Sequence, residues 1–221
     1  MNALVKICGL STPESVRAAQ CGGATHLGFI FFEKSPRNVT PKQAARLVQD
    51  ASDVKTVAVT VNADDTFLDD IVMAMKPDIL QLHGSENRAR LAEVKQRYQL
   101  PIMKALAIRD AADLDKISAY EGVADLLLLD AKPPQGSDLP GGNGVSFDWS
   151  LIASLSSNTP ILLSGGLDQS NLNLAFDYVQ NTQNDLIGID VSSGVENAPG
   201  VKDILKIEKF LAACHHRKIK D

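Results

Sequence analysis

Two reactive side chains stand directly at the ends of apolar segments. Cys8 ends the run Leu4-Val5-Lys6-Ile7-Cys8, and Asp130 follows four consecutive leucines. A thiol beside a cation can act as a general base, and a carboxyl group that burial or an anionic ligand keeps protonated can act as a general acid. Taken singly, such a cysteine is more often a small buried hydrophobe, and such an aspartate more often caps a loop. The two become a catalytic pair only if the fold brings them to one site.

The segments that must position these residues repeat one pattern, a short apolar run followed by helical spacing. The first run, Leu4–Cys8, is too short for a surface helix and rich in β-branched residues, which predicts a buried strand. Gly9 permits a sharp exit, and Thr12-Pro13-Glu14 is typical of a helix start. The predicted strands are Leu4–Cys8, His26–Phe31, Lys55–Val61, Asp78–Leu82, Ile102–Leu106, Asp125–Leu129, Pro160–Ser164 and Leu186–Val191. The predicted helices are Thr12–Cys21, Thr40–Asp50, Asp65–Met75, Asn87–Tyr98, Asp110–Tyr120, Asp148–Leu155, Ser170–Tyr178 and Lys202–Cys214.

Eight such units fill the 221 residues without a linker. Parallel strands need helical crossovers and become buried apolar runs, so we predict an α/β fold, a single (β/α)8 TIM barrel domain over residues 1–221. An open doubly wound sheet is the alternative. It usually carries a G-x-G-x-x-G turn after its first strand, whereas this chain has Cys8-Gly9-Leu10-Ser11-Thr12-Pro13.

Composition excludes several function classes. A net charge of −5 argues against nucleic-acid binding, which usually requires a basic surface. No apolar run approaches the roughly 18 residues of a membrane span, and the start lacks a signal-peptide pattern. Three cysteines at unrelated spacings favour reduced thiols, hence a cytoplasmic protein without membrane or nucleic-acid partners. The adjacent His215 and His216 do not share a helix face, so we expect no metal site.

Chemistry in a TIM barrel lies at the carboxyl ends of the strands. Strands one and six are three places apart around the barrel, so Cys8 and Asp130 can face each other across its mouth. Arg37 supplies a cation for a second anionic group or is a solvated loop residue, and His83 is a rival base or the partner of a backbone carbonyl. Glycine turns after strands seven and eight predict a phosphate site, with tight turns as the alternative. The residues of this phosphate site are Gly165, Gly166, Asp190, Ser192, Ser193 and Gly194.

Several motifs together closely resemble phosphoribosylanthranilate isomerase. They are Val5-Lys6-Ile7-Cys8-Gly9, Leu27-Gly28-Phe29-Ile30-Phe31, Ser35-Pro36-Arg37, Leu80-Gln81-Leu82-His83-Gly84, Leu129-Asp130, Gly141-Gly142-Asn143-Gly144, Ser164-Gly165-Gly166-Leu167 and Asp190-Val191-Ser192-Ser193-Gly194-Val195-Glu196. The resemblance implies a barrel enzyme of tryptophan biosynthesis that carries out an Amadori rearrangement of N-(5-phosphoribosyl)anthranilate without a cofactor.

The resemblance also implies roles for individual residues. Asp130 matches the general acid that opens the ribose ring, and Cys8 matches the base that removes the C2′ proton. Arg37 matches the contact to the anthranilate carboxylate. The family often has Thr or Ser after the aspartate and Thr in the Gly-Gly-Thr-Gly loop, where this chain has Ala131 and Asn143.

Two other functions remain open at this point. One is another sugar-phosphate epimerase or lyase on the same barrel, for which Lys6 and Lys104 are candidate groups. The other is a non-catalytic phosphosugar-binding barrel. The chain is expected to be a monomer or a homodimer, and the long Pro133–Gly144 loop is a plausible lid.

Overall fold

The computed structural model describes residues 3–49, 51, 53–133, 136, 137, 139–142, 144, 146–155, 157–181 and 186–215. Eight parallel strands close into a barrel in chain order, each paired with its sequence neighbours and the last with the first. The strands are β1 Leu4–Cys8, β2 His26–Phe31, β3 Lys55–Thr60, β4 Ile79–Leu82, β5 Ile102–Ile108, β6 Leu126–Ala131, β7 Ile161–Leu163 and β8 Leu186–Val191. The predicted TIM barrel is confirmed.

The α-helices are α1 Pro13–Cys21, α2 Pro41–Leu47, α3 Asp65–Met75, α4 Arg88–Tyr98, α5 Ala111–Leu114, α6 Leu172–Asn181 and α7 Ile204–Cys214. Threonine side chains cap α1 and α2 in complete capping boxes, with proline at the start of each helix. Asp64, Asn87 and Asp203 cap α3, α4 and α7 in the same way by accepting from backbone N–H groups.

Two predicted helices are shorter and tighter than expected. The segment predicted as a helix over Asp110–Tyr120 forms one turn, α5, followed by a 3₁₀ helix at Asp115–Ala119. Ser118 donates its hydroxyl to the Asp115 carbonyl, which competes with α-helical bonding. The segment predicted over Asp148–Leu155 is a 3₁₀ helix at Trp149–Ser154. Both segments are too short for a stable isolated α-helix, so local bonding decides their geometry.

The core has two parts. Most apolar side chains lie between the strands and the surrounding helices, and a smaller cluster that includes Val57, Met103 and Leu128 lies apart from them. Side chains of one strand alternate between these two environments, since successive residues point to opposite faces. Cys8 belongs to the smaller cluster, which places it inside the barrel.

A hairpin that the sequence did not predict follows β8. A 3₁₀ turn at Ser193–Val195 leads into the antiparallel strands β9 Glu196–Ala198 and β10 Val201–Lys202. We call these two strands the Glu196 hairpin.

Of the helices in the described part of the chain, none is long and apolar enough to cross a membrane. Asp50, Asn143 and His216, which the sequence-based expectations used, lie outside the described residues.

Candidate active site

One cavity opens at the carboxyl ends of the strands. Part of the predicted lid, Leu139–Gly142, lies against it. Gly194 lies outside, where a side chain would collide with the Leu167 carbonyl. The predicted site residues that line the cavity are Cys8, Arg37, His83, Asp130, Gly165, Gly166, Asp190, Ser192 and Ser193.

The Cys8 thiol shares the barrel interior with a buried lysine. Lys6 is two residues earlier on β1, and its Nζ lies 2.7 Å from Oδ1 of Asp190 with the ammonium fully buried. Gly28 on β2 makes the room, because a Cβ there would come within 3.0 Å of the thiol and 3.1 Å of the lysine stem. Ser164 donates to the other oxygen of Asp190 at 3.0 Å. The ion pair thus holds a cation beneath the thiol.

Charges around Cys8 compete, and the pKa of its buried thiol stays above the ordinary value. Burial raises the pKa of the thiol, the Lys6 ammonium lowers it, and the Asp190 carboxylate raises it again. Lys202 adds a second, weaker effect that lowers the pKa. Burial lowers the pKa of Lys6, but Asp190 and Cys8 outweigh this effect and hold it above its ordinary value. Lys6 therefore stays charged and favours a thiolate whenever the proton leaves.

Asp130 is buried, and its two oxygens have different surroundings. Oδ1 accepts the N–H of Ala131 at 2.9 Å. Oδ2 lies 3.4 Å from Nε2 of His83. Gly141 of the lid packs so closely on Oδ2 that a Cβ there would overlap it. His83 does not pair with a backbone carbonyl, the alternative raised above, because its Nδ1 lies 3.1 Å from Nε2 of Gln81.

Arg37 is a buried residue rather than a solvated loop arginine. Its Nε and Nη2 donate to the two oxygens of Glu196 at 2.7 and 2.8 Å, and Nη2 also donates to the Gly142 carbonyl at 3.2 Å. Lys202 donates to the same Glu196 carboxylate at 2.8 Å. Glu196 therefore occupies the Nε and Nη2 side of the guanidinium, and Nη1 is the nitrogen left for a ligand that enters the cavity.

Two tight turns shape the far side of the cavity. Gly165 and Gly166 have φ values of +84° and +66°, and a Cβ on Gly165 would come 2.5 Å from the Ala131 nitrogen. Only glycine fits there. Ser192 and Ser193 face these glycines from the end of β8. We call Gly165, Gly166, Ser192 and Ser193 the phosphate cradle. Asp190 also lines the cavity, with its carboxylate bound by Lys6 and Ser164, and its contact with phosphate stays a prediction.

Lys104, the other lysine that the lyase hypothesis used, lies away from this cavity. Its Nζ donates to Glu86 at 2.8 Å and to the Leu82 and Gly84 carbonyls. Burial lowers its pKa, and Glu86 partly compensates. Its position is that of a structural ion pair. Within the described residues, no group of three His, Cys, Asp or Glu side chains could hold a metal ion.

Comparison with known proteins decides the family. Residues 5–213 match the family model described as N-(5'phosphoribosyl)anthranilate (PRA) isomerase. The chain belongs to the phosphoribosylanthranilate isomerase family. An N-(5'-phosphoribosyl)anthranilate isomerase from Brucella canis is 55% identical over 210 residues, 95% of this chain and 92% of that protein.

Solved structures of phosphoribosylanthranilate isomerases agree with the model. The enzyme from Thermotoga maritima superposes with a TM-score of 0.82 at 31% identity, over 96% of this chain and 98% of that one. A complex with reduced 1-(o-carboxyphenylamino)-1-deoxyribulose 5-phosphate gives a TM-score of 0.80 at 30% identity, again over 96% and 98%. The resemblance seen in the sequence motifs is confirmed.

Sequence reasoning missed several residues of this isomerase site. Glu196 lies 159 residues after the arginine that it binds, a separation at which no local pattern connects them. Pro199-Gly200 is a turn signal that could have revealed the hairpin. Lys6, placed between apolar residues of a strand, was considered only for another activity, although a lysine in a buried strand requires a buried partner.

Proposed function

We propose that this chain converts N-(5-phosphoribosyl)anthranilate into 1-(2-carboxyphenylamino)-1-deoxyribulose 5-phosphate by an Amadori rearrangement in tryptophan biosynthesis, without a cofactor. One observation carries the proposal: Cys8 and Asp130 line the same cavity as the phosphate cradle and Arg37. Family membership supports the same reaction.

Binding uses two groups of residues that line the cavity. The phosphate group lies in the phosphate cradle, where glycine turns let backbone N–H groups approach it closely. The anthranilate carboxylate binds Nη1 of Arg37. Glu196 and Lys202 hold the guanidinium in place before substrate arrives, which reduces the entropy lost on binding.

Asp130 performs the first step as general acid. The O–H bond on Oδ2 breaks as its proton passes to the ribose ring oxygen, and the C1′–O bond breaks with its electron pair going to that oxygen. The anthranilate nitrogen lone pair forms the Schiff base. Leu139–Gly142 lies against the cavity, with Gly141 packed on Oδ2 of Asp130, and excludes water from that oxygen.

Cys8 performs the second step as general base. Its thiolate takes the C2′ proton, and the C–H electron pair moves toward the cationic nitrogen to give an enolamine, which tautomerises to the ketone. The Lys6 ammonium beneath the thiol favours the thiolate form that this step needs. The acid and the base thus act in separate steps on one substrate.

The test is the loss of anthranilate fluorescence when freshly generated phosphoribosylanthranilate is mixed with the purified protein. We expect rapid decay with the parent chain. Cys8→Ser and Asp130→Asn variants, folded by circular dichroism, should be slower by about 10²–10⁴-fold each, the usual contribution of a general acid or base. A parent chain that binds a phosphosugar but leaves the fluorescence unchanged would instead be the non-catalytic binding barrel.

The oligomeric state is open to direct measurement. The Thermotoga maritima relative is described as a dimeric enzyme from which monomers have been generated. A homodimer is one of the two states expected for this chain. Sedimentation at micromolar concentration distinguishes it from a monomer.

A further inference from the structure

Gln81 is a buried polar residue that the reaction as described does not use. It lies on β4 with its side chain fully buried in the barrel. Its Nε2 is 3.1 Å from Nδ1 of His83, whereas its Oε1 has no hydrogen-bond partner among the described residues. A buried acceptor without a partner destabilises the fold, and an apolar side chain of equal size would avoid that cost. The amide is therefore retained for its contact with His83.

The contact determines where His83 carries its proton. An amide NH₂ group only donates, so Nδ1 of the neutral imidazole must accept and its hydrogen must be on Nε2. Nε2 is the atom that faces Oδ2 of Asp130 at 3.4 Å. The three side chains form a line from the barrel interior to the cavity. The other Asp130 oxygen already accepts the N–H of Ala131.

We propose that Gln81 is a positioning residue that fixes His83 in the Nε2–H tautomer. His83 then donates to Oδ2 of Asp130 as this oxygen gives its proton to the ribose ring oxygen and becomes negative. His83 keeps its own proton throughout this step. The contact is long in the free protein and shortens as charge develops on Oδ2. The role in catalysis rests on the proposed function, whereas the tautomer does not.

The opposite tautomer would work against the acid. If Nδ1 carried the hydrogen, the lone pair of Nε2 would face Oδ2 and compete with the substrate for the proton of Asp130. A glutamate in place of Gln81 would impose that arrangement, because a carboxylate accepts where the amide donates. The substitution therefore exchanges one tautomer for the other with little change of shape.

Imidazole ¹⁵N resonances of histidine-labelled protein measure the tautomer directly and need no activity. His83→Gln identifies the His83 signals. We expect Nε2–H in the parent chain, a proton on Nδ1 in Gln81→Glu, and a mixture of tautomers in Gln81→Met. A parent chain with its proton on Nδ1, or tautomer populations that are the same in all three proteins, would overturn the proposal.

Steady-state kinetics test the consequence for catalysis. Gln81→Met should lower kcat about tenfold, the effect of one hydrogen bond, and leave KM within about twofold. In a His83→Gln background the same substitution should have no further effect, because its partner is gone. Gln96→Met, on the exposed face of α4, is the matched control. An equal loss of kcat in both backgrounds would show that Gln81 acts through packing alone.

The two proposals can fail separately. A parent chain without isomerase activity but with the Nε2–H tautomer would refute the proposed function and leave the positioning of His83 intact. An active parent chain with the His83 proton on Nδ1 would support the proposed function and refute the positioning role of Gln81.

Discussion

Glu196→Gln is the substitution whose effect follows most directly from the structure. The carboxylate of Glu196 binds Arg37 through both oxygens and Lys202 through one, and all three side chains are at most 3% exposed. The amide keeps the shape but loses the charge, and its NH₂ group faces a donor. Two buried cations then lack their counter-ion.

The expected loss of stability is large. Breaking a buried ion pair from one side costs about 3–5 kcal/mol, which lowers Tm by about 10 °C for a domain of this length. Glu208→Gln is the control, because Glu208 is exposed on α7 and its change should stay within about 0.5 kcal/mol. Substrate binding should weaken as well, since Nη1 of Arg37 loses its fixed position, so KM should rise more than kcat falls.

The pH dependence gives the sharper test. Burial raises the pKa of Glu196, but Arg37 and Lys202 together lower it below its ordinary value of 4.5. A lowered carboxyl pKa contributes stability that is fully present above the ordinary value and is lost as the pH falls through the folded one. The difference in unfolding free energy between parent and variant, from urea titrations, should be full at pH 7 and shrink below pH 4.5. A difference that stays constant in acid, or equals that of Glu208→Gln, would refute the reasoning.

Three further results are expected. Burial lowers the pKa of His26 to about 4 from 6.5, so the unfolded chain takes up a proton at a higher pH than the folded one. The unfolding free energy of the parent, from urea titrations, should therefore fall by about 2 kcal/mol between pH 7 and pH 5. The fall should be smaller in His26→Gln, and the same fall in both proteins would contradict this reasoning. Lys104→Met should lower stability by about 3 kcal/mol but leave kcat within about twofold, since Glu86 binds its ammonium and Lys104 does not line the cavity. A large loss of kcat would instead support a catalytic role for this lysine. Gly141→Ala should lower kcat/KM by about 100-fold, because its Cβ would displace Asp130. Gly136→Asn in the same loop is the control, because asparagine tolerates the φ of +85° there and a Cβ meets no atom within 4 Å. Equal losses of kcat/KM in both variants would argue against the contact between Gly141 and Asp130.

The sequence predicted the strands and helices best where the hydrophobic pattern and the flanking residues indicate the same boundary. The bounds of β1, β2 and β8 match the prediction residue for residue. The apolar runs of β1 and β8 end at a glycine and a serine, whereas β2 ends at Phe31 although Phe32 continues the apolar run. The segments at Asp115–Ala119 and Trp149–Ser154 could not be predicted as 3₁₀ helices, since hydrophobic spacing over five or six residues does not distinguish i→i+3 from i→i+4 bonds. The Glu196 hairpin is too short to show periodicity.

The sequence predicted which residues belong to the site but not the ion pairs that connect them. Strand ends gave Cys8 and Asp130, because the barrel fixes which end of a strand carries chemistry. The sequence did not show that Glu196 binds Arg37 through both of its oxygens, nor that Asp190 binds Lys6. Such pairings join distant parts of the chain and depend on three-dimensional packing.

The division of labour between acid and base is the central claim, and a substrate deuterated at C2′ of the ribose tests it most directly. The C2′–H bond breaks only in the step assigned to Cys8. We predict that Cys8→Ser, by making that step limiting, shows a full primary isotope effect on kcat. Asp130→Asn, by making ring opening limiting, should show almost none. The opposite pattern, or the same isotope effect in both variants, would contradict the assignment of the two roles.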